Sequence, residues 1–323
     1  MKAIVRTQYG SPDVLNMQEV DVPPVPDNGV LVRVRGTSIN AGDWHLLRGT
    51  PLLIRLVFKG LFKPKIKILG GDISGTVEKI GKDVTQFKIG DEVFGELSES
   101  GFGAFAEYAS CAEKALAIKP HNLSFQQAAT VPVAALSALQ ALRDCAGVQK
   151  GQKILIVGAS GGVGSFAVQI AKAWGAEVTA VCSTAKIEMM KTIGADHIID
   201  SSRTDVTKSD KIYDAIIDAA AFKSVFSYFP ILKNNGNYVL VGGSTPRLFF
   251  VMLFGPLISK LKGRNVKSLI SKPVQSDLVI LRNLIEARKL VPFIDRTYPL
   301  SEIADAIRQV EQRQVRGKIA ISV

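Results

Sequence analysis

Residues Gly158-Ala159-Ser160-Gly161-Gly162-Val163-Gly164 lie between an apolar run, Lys153–Val157, and a segment of helical periodicity. In that segment Val163, Phe166, Ala167, Ile170, Ala171 and Trp174 recur at helical spacing, and Gly175 follows as a stop. Strand, glycine turn and helix N-terminus in this order make an anion site. The glycines let the backbone turn sharply and let a pyrophosphate come close, and the helix end offers free N–H groups and partial positive charge. Ser160, Gly161, Gly162, Val163 and Gly164 are therefore the candidate pyrophosphate residues. A glycine-rich turn that holds no ligand is the plainer alternative, and the presence of all three parts argues against it.

The residues that follow bear on which dinucleotide. The next strand, Glu177–Cys182, runs into Ser183-Thr184-Ala185-Lys186. A site for NAD usually has an acid about 20 residues past the glycines, to hold the ribose 2′-hydroxyl. Cys182 and Ser183 stand there instead. A carboxylate would repel a 2′-phosphate, whereas hydroxyls and the Lys186 ammonium would bind it, so NADPH is expected over NADH. A single lysine is more often a solvated surface residue, so the missing acid carries more of this argument than Lys186 does.

Elements must position these residues, and the chain is long enough to supply them. It has 323 residues, 47% hydrophobic and 21% charged, as a soluble globular protein of two ordinary domains would. Met1–Arg6 reads as a first strand rather than a signal peptide. Three cysteines, Cys111, Cys145 and Cys182, show neither paired nor metal-type spacing, which fits a reducing, cytoplasmic setting. Segments such as Val30–Arg35 and Gly75–Ile80 alternate as strands. From near Ser124 the texture changes. A helical pattern runs through Gln126–Ala146. Strands at 153–157, 177–182, 196–199, Tyr213–Asp218 and Tyr238–Val241 then alternate with helices, which implies a doubly wound parallel sheet. A helix is expected over Asp277–Ala287, and Lys318–Val323 returns to strand. The expected division is a β-rich domain over 1–122, a dinucleotide-binding domain over 123–273, and a return to the first domain over 274–323.

The net charge of +11 is unevenly placed. From Trp44 to Gly71 there is no acid but six cations, Arg48, Arg55, Lys59, Lys63, Lys65 and Lys67. From Ala219 to Ser276 there is again no acid, and Arg247, Lys260, Lys262, Arg264, Lys267 and Lys272 crowd the second half. Such an excess can meet nucleic acid, an anionic membrane or an anionic ligand.

A set of motifs in one order resembles a known family. They are Pro26–Val34, Ser38-Ile39-Asn40-Ala41-Gly42-Asp43-Trp44, Gly70–Gly75, Gly90–Gly95, Gly103–Tyr108, Ala128–Pro132, the glycine turn and the closing Gly317-Lys318. With them the sequence resembles, essentially end to end, the zinc-free medium-chain dehydrogenase/reductases of the quinone oxidoreductase group. Within that group it is most similar to the branch of chloroplast-envelope quinone oxidoreductase homologues and reticulon-interacting mitochondrial proteins, where a stretch like Leu290–Leu300 is typical. The resemblance implies an α/β protein, a GroES-like β-rich catalytic domain plus a doubly wound Rossmann domain, with the active site in the cleft between them. Zinc-dependent cousins carry Cys where Asn40 stands, His where Gly71 stands, and a run of four Cys. None of these is present, and three scattered Cys with His45, His121 and His197 do not make a zinc set, so no metal is expected. Asp43 and Asp72 read as structural polar groups.

Without a Lewis acid, the easier chemistry is hydride delivery to an acceptor that is already electrophilic, a quinone or an α,β-unsaturated carbonyl, with positioning and charge stabilisation as the protein's work. The resemblance implies that Asn40 hydrogen-bonds near the nicotinamide ribose. It places Thr130 and the Val241-Gly242-Gly243 turn along the nicotinamide. Lys186 and Ser183 meet the 2′-phosphate, and Lys318 closes over the cofactor. Related reductases often have Tyr and Arg where Ser201 and Ser202 align. No proton donor stands out. His45 is a candidate, although a lone His in a loop is more often a surface residue, and water can serve. Trp44 is read equally as a pocket wall and as a core residue.

The two basic stretches are also rich in large apolar residues. Arg55, Lys59 and Lys63 are four apart and are expected to line one helical face, with Leu52, Leu53, Leu56 and Val57 on another. Such a helix reads as membrane-surface or partner-binding. The run Leu248–Ile258 is too short to span a bilayer and is interrupted by Gly-Pro. Pocket wall and homodimer contact are the plainer roles for both, since pockets are mainly apolar. Peripheral contact with anionic membranes is the sharper one. The leading expectation is a zinc-independent, NADPH-dependent reductase of small lipophilic electrophiles, acting as a homodimer. Alternatives are a zinc-independent dehydrogenase of another carbonyl, and a non-catalytic NADPH-binding protein acting through a partner, nucleic acid or a membrane. No basic motif interleaved with aromatics, of the kind that stacks single-stranded bases, supports nucleic acid.

Overall fold

The computed structural model describes residues 1–323 and forms two bodies that divide at Ala134, past the change of texture near Ser124. The first comprises Met1–Ala134, Pro273–Glu286 and Ile294–Val323. Its centre is the strand Gly29–Ile39, in which Val30, Val32 and Val34 are buried while Arg33 and Arg35 are exposed, the alternation of a sheet with one face on the core. The strand Asp72–Ile80 pairs with it antiparallel. On its other side the last strand, Lys318–Ser322, pairs antiparallel with Ile319 opposite Ile39. That register brings Lys318 beside the residue that follows Ile39, which is Asn40. The helix Ala41–Arg48 begins there and packs Leu46 and Leu47 into a core with Ile39, Ile303, Ile307 and Ile319.

The basic stretch departs from the helical spacing expected of it. Helix is confined to Leu52–Val57, and Lys59 takes φ +52°, a left-handed conformation that ends the run. Arg55 turns inward, its guanidinium 4.4 Å over the Tyr9 ring and its Nε donating to the Gly49 carbonyl at 2.9 Å. Lys59 and Lys63 therefore do not share a helical face with Arg55.

The second body comprises Ala135–Lys272 and Ala287–Phe293. Six parallel strands lie in the order His197–Asp200, Glu177–Cys182, Lys153–Val157, Tyr213–Asp218, Leu232–Leu240, Asn265–Ser268. Numbered along the chain this is 3-2-1-4-5-6, the doubly wound dinucleotide-binding order, whose direction reverses between strands one and four. Those two strands are buried apolar runs, as strands covered on both faces must be. The Gly-Pro pair does not interrupt the 248–258 run. One helix, Thr245–Lys262, continues through Pro256, and Gly255 lets it approach the strand Asn265–Ser268 so closely that a Cβ there would lie 2.8 Å from the Val266 carbonyl. No helix is long and apolar enough to cross a membrane.

Candidate functional site

The sharp turn after the first parallel strand is built from glycines that have different duties. Gly158 takes φ +74°, and a Cβ on it would meet the Ala220 side chain at 2.8 Å. A Cβ on Gly164 would lie 2.3 Å from the Gly158 carbonyl oxygen, so this glycine allows helix and strand to close on each other. Gly161 is different. A Cβ there would meet only the Gly158 oxygen, at an ordinary 3.5 Å, which leaves the space over the turn open. The helix Gly162–Ala173 starts at this point, Gly161 capping it without a side-chain hydrogen bond, and its first-turn amides have no intrahelical acceptors. Open space over unpaired amides at a helix N-terminus fits a pyrophosphate. Ser160 and Gly164 are buried beneath, while Gly161, Gly162 and Val163 are half-buried.

A residue not singled out from sequence supports this turn. Asp218 ends the fourth strand, directly beside Val157, and is fully buried. Its Oδ1 accepts the amides of Ala220 at 3.0 Å and Ala221 at 2.7 Å, and its Oδ2 accepts the Tyr238 hydroxyl at 2.8 Å. Burial raises its pKa, and these three donors oppose the rise. The loop so fixed packs on Gly158 and on Gly243, whose Cβ would fall 2.1 Å from the Ala220 oxygen at φ +102°. Val241 donates to the Asp218 backbone carbonyl at 2.9 Å, which ties the Val241-Gly242-Gly243 turn to the same residue. An Asp directly after the apolar run Ala215-Ile216-Ile217 was the signal available in the sequence.

The end of the second strand shows a further feature that sequence reasoning missed. Ser183 leads a short turn over Thr184–Lys186, with the Lys186 amide donating to the Ser183 carbonyl at 2.9 Å. An acid is present there after all, from the neighbouring strand. Asp200 pairs with Cys182 in the parallel register, and its Oδ2 accepts the Thr184 hydroxyl at 2.6 Å. The Thr184 hydroxyl and the Ser202 amide hold its carboxyl below the usual range, and Arg203 stands 3.7 Å away.

In the first body a second polar cluster forms around Asp72, which is fully buried. Its Oδ2 accepts Ser38 Oγ at 2.5 Å and Asn40 Nδ2 at 2.8 Å, and pairs with Lys318 Nζ at 3.3 Å. Its Oδ1 accepts the Val133 amide at 2.8 Å. Lys318, 3% exposed, also donates to the Ile39 carbonyl at 3.2 Å and to Asn40 Oδ1 at 2.5 Å, so its three N–H donors have three partners. Lysine on one side and carboxylate on the other orient the Asn40 amide. It keeps one N–H and one lone pair, the complement of a ribose hydroxyl. Asn40, Asp72 and Lys318, far apart in the sequence, are brought together in the fold.

Two further carboxyls lie near. Asp43 is buried, accepts the Asn40 amide at 2.7 Å, and is pushed up to about 7, chiefly by burial. Glu96, also buried, accepts the Ser98 amide and hydroxyl, each at 2.8 Å, and burial pushes it up to about 7. A Cβ on Gly71 would lie 3.3 Å from its Oε1. Thr130 is fully buried and spends its hydroxyl on the Gln127 carbonyl at 2.7 Å. Trp44, half-buried against the core, stacks on His45 at 3.6 Å between ring centroids. His45 Nδ1 lies 2.9 Å from the Thr50 carbonyl, which accepts and so assigns the proton to Nδ1, leaving Nε2 as an acceptor. Burial lowers its pKa and keeps the ring neutral.

Comparison with known proteins gives these clusters a context. Residues 26–121 match a family model described as an alcohol dehydrogenase GroES-like domain, and residues 193–321 match one described as a zinc-binding dehydrogenase. The chain is 33% identical, over 100% of its length, to the Bos taurus mitochondrial protein named NAD(P)H oxidoreductase RTN4IP1, of which it covers 89%. It is 34% identical over 99% of its length to the 2-methylene-furan-3-one reductase of Solanum lycopersicum, covering 79%. The solved quinone oxidoreductase of Coxiella burnetii superposes with a TM-score of 0.89 at 32% identity, over 100% of this chain and 99% of that one. The zinc in one of those descriptions does not fit this chain's donors. No group of three or more His, Cys, Asp or Glu side chains is placed to hold a metal ion, and Asn40 supplies an amide already held by Lys318 and Asp72.

Proposed function

The chain belongs to the quinone oxidoreductase group of the medium-chain dehydrogenase/reductase family, and from that premise we propose that it is an NADPH-dependent reductase of quinones and α,β-unsaturated carbonyls that works without zinc. The observation that carries this reading is the glycine turn, open above Gly161 and closed below at Gly164. Its relatives' names, one a quinone oxidoreductase and one an enone reductase, supply the acceptor class.

Reduced nicotinamide, when bound, supplies a hydride. The chain's own residues do the rest. The first-turn amides of Gly162–Ala173 take the pyrophosphate charge. Ser183 and Lys186 meet the 2′-phosphate. Asn40, its amide locked by Asp72 and Lys318, offers a donor and an acceptor to a ribose hydroxyl. The Val241–Gly243 turn, fixed beside the glycine turn, walls the nicotinamide. His45 is neutral with its Nδ1 proton committed to Thr50, so Nε2 orders a water and the acceptor's oxyanion takes its proton from that water. Lys318, buried in the Asp72 cluster, acts through Asn40.

One observation favours NADH as a second reading: Asp200, whose carboxylate borders Thr184 and would repel a 2′-phosphate. Steady-state oxidation of NADPH and NADH with a naphthoquinone and a medium-chain 2-alkenal separates the two. The proposal expects turnover of both acceptors with NADPH well ahead. Preference for NADH would transfer the role to Asp200, and tight NADPH binding without turnover of either acceptor would contradict the reductase reading.

A further inference from the structure

We propose that the segment Leu52–Lys67 is a docking surface for anionic lipid bilayers. Its inner side is anchored. Ile54 and Phe58 pack on the core of the first body, Phe58 meets Phe102 edge-on at 5.7 Å, and the Tyr9 hydroxyl donates to the Gly60 carbonyl at 2.6 Å. The outer side is apolar and unpartnered. Phe62 is 88% exposed, Val57 63%, Leu52 59% and Leu56 54%, with Leu53 and Leu61 also exposed. Side chains this exposed form a ridge rather than a groove. A contiguous apolar ridge on a soluble body marks an interaction site.

Charge chooses the occupant. Lys59, Lys63 and Lys65 are exposed in the same segment, and no acid occurs between Trp44 and Gly71. A second copy of the chain seated on this ridge by a two-fold contact would set lysines against lysines, in a protein of net charge +11. A bilayer with anionic headgroups satisfies both parts, with acyl chains or interfacial carbons for the ridge and phosphates for the lysines. The exposed stripe of the Thr245–Lys262 helix, Leu253, Phe254, Leu257 and Leu261, has its lysines only at one end and no such collar.

The full chain is sedimented with vesicles of phosphatidylcholine alone, or with about a third phosphatidylglycerol, at low salt and at about 0.5 M salt, where the Debye length falls to roughly 4 Å. Binding is expected only to the anionic vesicles at low salt, at least about tenfold above the neutral ones. The pair Leu56→Ser with Phe62→Ser should lower it about tenfold with the melting temperature unchanged, since both side chains are solvent-exposed. The pair Lys63→Gln with Lys65→Gln should lower it too and leave folding untouched. Absence of binding to either vesicle overturns the proposal, as does equal binding to both. Retention by the Leu56/Phe62 variant at the parent level also overturns it. So does a concentration-dependent dimer that this variant dissolves when no vesicle is bound, which would assign the ridge to a second copy.

Discussion

The glycine turn and the Asp72 cluster both rest on a buried aspartate, yet the two are built in opposite ways. Asp218 receives only neutral donors, two amides and a tyrosine hydroxyl, and burial raises its pKa. Asp72 receives a hydroxyl, two amide donors and the Lys318 ammonium, which is itself shut away from solvent. One carboxylate shapes backbone, and the other holds a charge in place so that a neighbouring amide is aimed. Three segments of the second body make the first: residues 158–164, 218–221 and 241–243. Four distant segments make the second, through Ser38–Asn40, Asp72, Val133 and Lys318. A turn made of backbone therefore needs steric permission, whereas a cluster made of side chains needs electrostatic balance.

The sharpest break is on the Asp72 side. Asp72→Ala leaves Lys318 buried without a counter-charge and should cost about 3–5 kcal/mol, read by denaturant unfolding. Adding Lys318→Met should recover much of that loss. If the double variant is no more stable than the single one, the pair is not the source of the penalty. On the other side, Gly164→Ala sets a methyl 2.3 Å from a backbone carbonyl that cannot rotate away. Overpacking of this kind costs about 1–3 kcal/mol. The displaced amides should weaken NADPH binding on the order of a hundredfold in a fluorescence titration. A variant that binds as tightly as the parent would mean the turn does not carry the pyrophosphate.

Glu96 sharpens the electrostatic side through pH. Its folded-state pKa, raised to about 7 by burial, exceeds the ordinary carboxylate value, so the folded protein holds a proton that the unfolded chain has released. Stability from this group is therefore complete below the unfolded pKa and is lost as pH rises toward 7, by up to about 3 kcal/mol. Glu96→Gln should be more stable than the parent at about pH 8, with the gap closing toward about pH 5, in paired thermal melts. A gap that is the same at both pH values would place no raised carboxyl there. The smallest effect concerns the adenosine end. Lys186→Ala should raise the KM for NADPH about tenfold and leave that for NADH nearly unchanged. Equal changes for both cofactors would remove Lys186 from the 2′-phosphate.

The same contrast explains what could be read from the chain alone. The parallel strands at 153–157, 177–182 and 213–218 and the turn after the first were legible because each is a local pattern: an apolar run, a glycine group, a helical period. Asp200 beside Thr184 was not, since the parallel register that sets residue 200 against 182 leaves no trace in either segment. Asn40 and Lys318 were recognised through resemblance, but the antiparallel register of Ile39 with Ile319 is what makes them partners. The spacing of Arg55, Lys59 and Lys63 predicted one helical face. It failed because Lys59 goes left-handed and Arg55 prefers the Tyr9 ring, preferences set by tertiary contact rather than by period.

Hydride delivery to an already electrophilic acceptor needs no metal, and chelator-treated protein checks this. With NADPH, initial rates on a 2-alkenal and on the saturated aldehyde of the same length are compared before and after removal of divalent metals. Turnover of the 2-alkenal should be unchanged by the chelator, with the saturated aldehyde inert. Reduction of the saturated aldehyde that disappears with the chelator and returns with zinc would contradict it.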